Sequence, residues 1–340
     1  MYCTYCNLDH DEDTKSSSEH VIPFAIGGTN ALTISVCERS NNSLGGLVDK
    51  PFTESLFIRT QRFLLGLEGT DGTEPTLDLS GTSLIDGRAV RVLYRISKEQ
   101  KDLKLGVSVV KSTTPSGEEW QVGGSPEAVR RILEGKLGSQ LKKGKAMQDS
   151  EGTTLTFASI DDLINDTGGV NSKLVTPEIL IERDFNKLDF VRFFAKLALA
   201  TGHFLLGKSF STSSNAARFR SAMQAQSISD VALTGAAIWP DVSGAEDLLS
   251  LFYAEDSHTL AIIEGEPSVF IANLFGKFGA VIPLDSAANG KPMFPTIEGM
   301  VLRVELPSRI LSRYNFKEYI DGLVVSQKVL SSFLPPRSAV

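Results

Sequence analysis

The strongest constraint on this chain is a spacing within its first forty residues. Cys3-x-x-Cys6 is followed about thirty residues later by Cys37-Glu38-Arg39-Ser40. Two C-x-x-C pairs at such a distance are the sequence form of a four-thiolate zinc knuckle. A knuckle can pin a hairpin and a helix too small to bury a core of their own. In such modules metal-binding energy is folding energy, ~10–16 kcal/mol apparent for structural zinc. Here Ser40 stands where the fourth thiol belongs, and a neutral hydroxyl is a poor zinc ligand. Three outcomes are open. His10, four residues after Cys6, takes the fourth place; Ser40 or a water completes a weaker site; or zinc is lost and the module is marginal.

Cys3, Cys6 and Cys37 are the only cysteines among 340 residues, and an odd, clustered set argues against a disulfide scaffold. A metal in a reducing cytoplasm is the expectation. The opening residues MYCTYCNLDHDEDTK are polar and acidic, unlike a secretory leader. The most apolar stretch, 188–207, contains Asp189, Arg192, Lys196 and His203, which a bilayer centre would penalise by ~2.5–3.5 kcal/mol per central charge. It reads as a buried core helix, so no membrane partner is expected. A net charge of −7 gives no bulk attraction to nucleic acid, so any such role needs local basic patches.

Between the knuckle halves stands Glu19-His20, with Asn41 and Asp49 further on. Two carboxylates can hold a hard divalent cation that keeps open positions for phosphate oxygens. An imidazole oriented by an asparagine can deprotonate water for attack on phosphorus. VIPFAIGGTNALTISVC reads as two short extended pieces around a Gly27-Gly28 turn, with Pro23 limiting the first, and NNSLGGLVDKPFTESLFIRTQRFL as helix with a break or restart at Pro51.

The ordered series C-x-x-C … S-x-E-H-V-I-P-x-A-I-G-G … C-x-x-S-N-N-x-L-G-x-x-V-D resembles the HNH endonucleases, in the branch framed by two C-x-x-C knuckles. The match spans about residues 3–52, with looser similarity to about 65. The resemblance implies a zinc-framed ββα-metal (His-Me finger) module and metal-assisted hydrolysis of a nucleic-acid phosphodiester, with DNA the expected substrate. It assigns His20 as general base and Asn41 as the asparagine that orients the catalytic loop or histidine. Glu19 and Asp49 become the ligands of a catalytic Mg²⁺ or Mn²⁺. Cys3, Cys6 and Cys37 become structural zinc ligands. It also implies a bacterial or phage-related origin. The departure is Ser40, which touches the scaffold metal and leaves the catalytic set in place.

The expected fold class is α+β: the ββα-metal module at 1–65, a glycine-rich linker or loop at 66–87, and a larger α+β domain at 88–340 for substrate binding, sensing or assembly. In that domain AVRVLYRIS and LKLGVSVVKS read as strands. Residues 125–137 read as a helix with Ser125 as N-cap and Pro126 in its first turn, and SKLVTPEILIER reads as a strand. The last third alternates apolar strand-like runs and ends in a short helix and a tail. A protein partner or homo-oligomer has no sequence signal. Over residues 1–60, Lys15, Arg39, Lys50 and Arg59 face Asp9, Asp11, Glu12, Asp13, Glu19, Glu38, Asp49 and Glu54, a net −4. Affinity for a phosphate backbone must therefore come largely from elsewhere. Arg130, Arg131, Lys142, Lys143 and Lys145 are candidate phosphate contacts, although a solvated helix face explains them as well. GSQLKKGKA has the wrong glycine spacing and no Ser/Thr after its last lysine for a phosphate loop. Asp9 to Asp13 lack the glycine and glutamate of a calcium loop. His203 reads as a satisfied core residue and His258 as a loop residue.

An alternative reading makes the module a catalytically degenerate knuckle that binds nucleic acid or protein. A related one makes it a nuclease effector held inactive until the C-terminal domain is engaged.

Overall fold

The computed structural model describes residues 1–69, 72–73, 75–85, 88–97, 101–105, 108–114, 117–123, 126–148, 152–160, 179–180, 185–285 and 298–333. The chain divides into two compact units, Met1–Pro75 with Phe185–Val340, and Thr76–Asp184. The N-terminal module thus shares a unit with the C-terminal part of the chain, an association the sequence does not announce.

In the first unit β1 (Tyr2–Cys3) and β2 (Leu8–Asp9) form a small antiparallel ladder with Cys3 opposite Leu8. β3 (Ser16–His20) pairs antiparallel with β4 (Thr33–Cys37), and α1 (Glu38–Leu44) follows at once. This is the ββα order implied by the resemblance. The first strand lies upstream of the expected VIPFAI piece. Pro23 cannot donate to a ladder, and the chain turns there into a 3-10 turn at Phe24–Ile26. The double glycine then lets the turn close. Gly27 has φ 102°, and a Cβ on Gly28 would lie 1.7 Å from the Ile22 carbonyl oxygen. After α1 comes a π-helical turn at Gly45–Asp49, then α2 (Lys50–Thr53) with Pro51 in its first turn, and α3 (Leu56–Leu65).

The second unit holds β5 (Leu77–Ile85), β6 (Arg88–Ile96), β7 (Lys101–Leu105), β8 (Ser108–Thr114), β9 (Gly117–Gly123), α4 (Pro126–Lys142) and β10 (Ile179–Leu180). Its sheet runs β10-β5-β6-β7, beside a β8-β9 hairpin. Part of the glycine-rich stretch expected as linker is therefore strand. Its backbone pairs in register with β6 from Leu77–Ile96 to Ile85–Arg88. Ser125, expected as N-cap, lies outside the described residues, as does the strand expected at 172–183 apart from Ile179–Leu180.

Returning to the first unit, α5 (Lys187–Leu206), α6 (Lys208–Ser211) and α7 (Ser214–Gln224) precede β11 (Ala237–Ile238) and α8 (Glu246–Leu251). Then come β12 (Ser257–Ile263), β13 (Ser268–Leu274), β14 (Phe278–Leu284), β15 (Gly299–Glu305), β16 (Ile310–Asn315) and α9 (Phe316–Phe333). The antiparallel sheet runs β11-β14-β13-β12-β15-β16. Its inner strands are apolar runs because both faces are covered, and every residue of β12 is buried. α5 is buried from Phe190 to Gly202 as expected, and no helix among the described residues is long and apolar enough to cross a membrane. Phe52, on α2, stacks on Phe193 of α5 with ring centroids 3.6 Å apart, fastening the HNH-like segment to that helix. Fully burying such a ring stabilises by roughly 1.5–3 kcal/mol.

Candidate active site and metal centre

The knuckle residues converge. Cys3, Cys6, His10 and Cys37 bring one donor atom each to within 4.8 Å of one another. Cys6 Sγ lies 3.1 Å from His10 Nε2 and 3.9 Å from Cys37 Sγ. β1 supplies Cys3, the tight turn before β2 supplies Cys6, and His10 follows β2 with its N–H bonded to the Met1 carbonyl. Cys37 ends β4. Three thiols and an imidazole are a donor set that zinc accepts, so the side chains fit that ion with His10 in the fourth place. Ser40 stays beside the cluster, its Oγ accepting from Cys37 Sγ at 3.1 Å. Burial opposes ionisation of Cys37, yet hydrogen bonding with Ser40, Cys3 and Cys6 brings its pKa below the usual thiol value. Cys6 moves the other way, to about 11, through burial and the neighbouring Cys3.

Side-chain alternation along β3 puts Glu19 and His20 on opposite faces, Glu19 buried and His20 half-buried. His20 Nε2 is 2.8 Å from Asn30 Oδ1, and its ring lies 5.6 Å from that of Phe24. Asn41 does not reach His20. Its Nδ2 donates to Ser17 Oγ at 2.8 Å, tying α1 to β3. The partner of His20 is thus Asn30, which sequence reasoning missed although GGTN puts it just past the double-glycine turn.

The loop around that turn is held from the C-terminal part of the same unit. Arg309 donates to the carbonyls of Phe24 and Gly28 at 2.9 and 3.1 Å, and its guanidinium lies 3.6 Å from the centre of the Phe24 ring. His258 is no loop residue. It sits fully buried in β12, where Nε2 donates to the Ile26 carbonyl at 2.7 Å and Nδ1 accepts from the Phe275 N–H at 3.2 Å. Those partners fix a neutral tautomer, and burial lowers its pKa to about 4.

Glu19 and Asp49 both bond to a side chain of the chain itself. The Lys196 ammonium donates to Glu19 Oε1 and to Asp49 Oδ2. Lys196 is 2% exposed and lies 5.6 Å from the centre of the Tyr5 ring. The π-helical turn aims Asp49 at this point, a local irregularity frequent at functional sites. Burial raises the Asp49 carboxyl pKa above its ordinary value, opposed by Lys196 and reinforced by Glu19. Asp49 Oδ1 is buried without a hydrogen-bond partner among the described residues. A divalent ion would have to share this space with an ammonium bonded to both carboxylates. The pair therefore does not fit Mg²⁺ or Mn²⁺ while Lys196 is seated. A lysine inside a helix this buried implies an acidic partner, but the sequence does not say which one.

Arg130, Arg131, Lys142, Lys143 and Lys145 are exposed on or just after α4, in the other compact unit.

With this geometry in place, a family comparison decides the class. Residues 3–57 match the family model of the HNH endonucleases. The N-terminal segment is an HNH module. No curated protein and no solved structure matches the chain. The HNH match covers the knuckle, the hairpin, α1 and Asp49, and stops before the second unit and before Lys196. The residue that engages both HNH carboxylates thus lies outside the HNH module.

Proposed function

We propose that the HNH module is an endonuclease that hydrolyses nucleic-acid phosphodiesters, with DNA as substrate and His20 as general base. The observation that carries this reading is the His20–Asn30 hydrogen bond. With Nε2 donating to the Asn30 carbonyl oxygen, Nδ1 is the nitrogen left to accept a proton from the attacking water. As that proton moves to His20, the water oxygen bonds to phosphorus and the ester oxygen leaves. Asn30 is the positioning residue for the ring, while Asn41 supports the strand beneath it through Ser17.

In this reading Cys3, Cys6, Cys37 and His10 hold zinc, which when bound supplies rigidity to the hairpin and no chemistry to the reaction. No step is assigned to a divalent ion at Glu19 and Asp49. The acidic balance of the module leaves phosphate contacts to residues outside it, and binding through such contacts should weaken steeply with salt. The test is nicking of supercoiled plasmid by the full chain. His20→Ala should lower the rate by about 10²–10⁴-fold, the usual worth of a general base. Equal cleavage by both proteins removes His20 from the role.

Lys196 favours a second reading, in which the module binds without cutting or is held inactive. A folded, zinc-loaded protein that is inert with every divalent ion would support it.

A further inference from the structure

The family chemistry asks for a cation between Glu19 and Asp49, and the fold already supplies one. We propose that Lys196 stands in for the divalent cation of the HNH module, so that the folded chain closes the Glu19–Asp49 pair to Mg²⁺ and Mn²⁺. This rests on reading Glu19 and Asp49 as the carboxylates of the nuclease site.

Three observations carry it. The ammonium bonds to one oxygen of each carboxylate, the bridging arrangement expected of a shared metal. Next, the side chain is 2% exposed, and Phe193, Phe194 and Leu197 beside it on α5 are buried, so it has no solvated position to retreat to while the helix is docked. Finally, α5 is fastened by the segment that supplies Asp49. Phe52 follows Asp49 by three residues and packs on both Phe190 and Phe193. Seating Lys196 and placing Asp49 are therefore one packing event. A divalent ion could enter only if α5 shifts or the lysine is removed.

The experiment is Mn²⁺ binding to the full chain, followed by loss of the free-ion EPR signal, together with melting temperature with and without Mn²⁺. Wild type should show no Glu19-dependent Mn²⁺ site and no Mn²⁺-dependent rise in melting temperature. Lys196→Ala should melt lower without metal, gain one Mn²⁺ site, and recover stability when Mn²⁺ is added. Glu19→Gln in the Lys196→Ala background should abolish that gain. A Mn²⁺ site in wild type that Glu19→Gln removes would overturn the proposal, as would a folded Lys196→Ala protein that gains no site. If Lys196→Ala fails to fold, comparing wild type with Glu19→Gln still decides, because any Glu19-dependent site in wild type is fatal. Nicking separates this inference from the nuclease reading. A Lys196→Ala protein that takes up Mn²⁺ yet cuts nothing supports the inference and removes the activity. Wild-type nicking that needs His20, alongside a Glu19-dependent Mn²⁺ site, does the reverse.

Discussion

The HNH module brings metal-type ligands together at two places. At the knuckle, three sulfurs and an imidazole meet one another. Beneath the hairpin, two carboxylates meet on an ammonium from α5. The difference follows from the charge on the ligands. Thiols and imidazoles have uncharged forms that can pack together without a counter-ion. Two carboxylates drawn from water, Glu19 buried and Asp49 half-buried, cannot, because ions removed from water need a partner to offset several kcal/mol of lost hydration each. One site can therefore wait for its metal, whereas the other has to be balanced as soon as the chain folds.

The largest effect separating the two sites should come from the knuckle. Cys37→Ala, or removal of zinc by a chelator, takes away a ligand set worth on the order of 10 kcal/mol in isolated knuckles. Packing of Cys3, Tyr5 and Val36 into the shared core will retain part of that. Hydrogen exchange should show protection lost across residues 1–44, while β12 to β15 stay protected. A chelator that leaves the β3–β4 hairpin protected would show that packing alone holds the knuckle.

That contrast also explains what could be read in advance. The knuckle, the Glu19-His20 step, Asn41 and Asp49 lie within fifty residues of sequence, and their order and spacing record the ββα geometry. The inner strands of the large sheet were legible as apolar runs, because both faces are covered. Lys196 was not legible as a site residue. It lies 177 residues from Glu19 and 147 from Asp49, and one sequence carries no signal for a pairing at that range. Asn30 was passed over for Asn41, because spacing cannot tell which side chain reaches the imidazole and which reaches Ser17. The strand at Leu77–Ile85 was hidden by Gly81 and by the glycine-rich residues before it.

A smaller effect concerns His258, a buried base whose two hydrogen-bond partners fix the neutral ring. Its pKa is about 4 in the fold against 6.5 for an ordinary histidine. Above pH 6.5 it is neutral in both folded and unfolded chains, and its contribution to stability is intact. As pH falls from 6.5 toward 4 the unfolded chain takes up a proton that the folded one refuses, so stability is lost by roughly 3 kcal/mol in all. Denaturant titrations at pH 7 and pH 4.5 should show wild type losing more stability than His258→Gln. Equal losses would mean that His258 is protonated in the fold and that its bond to the Ile26 carbonyl does not keep it neutral.

The smallest effect is at the serine that breaks the knuckle. With His10 already 3.1 Å from Cys6 Sγ, the fourth place has a donor, and Ser40→Cys would add a competing thiol to a complete set. Melting temperature should then rise by no more than the ~2–4 °C that corresponds to about 1 kcal/mol in a domain of this size. His10→Ala should cost zinc affinity at least the ~10–100-fold that even an outer-shell change costs. Adding Ser40→Cys to His10→Ala should return most of that loss, because Cys37 and residue 40 then form the second C-x-x-C pair. If Ser40→Cys alone raises zinc affinity as much in wild type as it does in His10→Ala, the imidazole is a neighbour of the cluster and not its fourth ligand. Ser40 would then mark a three-thiolate site, and the knuckle, like the carboxylate pair, would take one of its partners from outside the HNH ligand set.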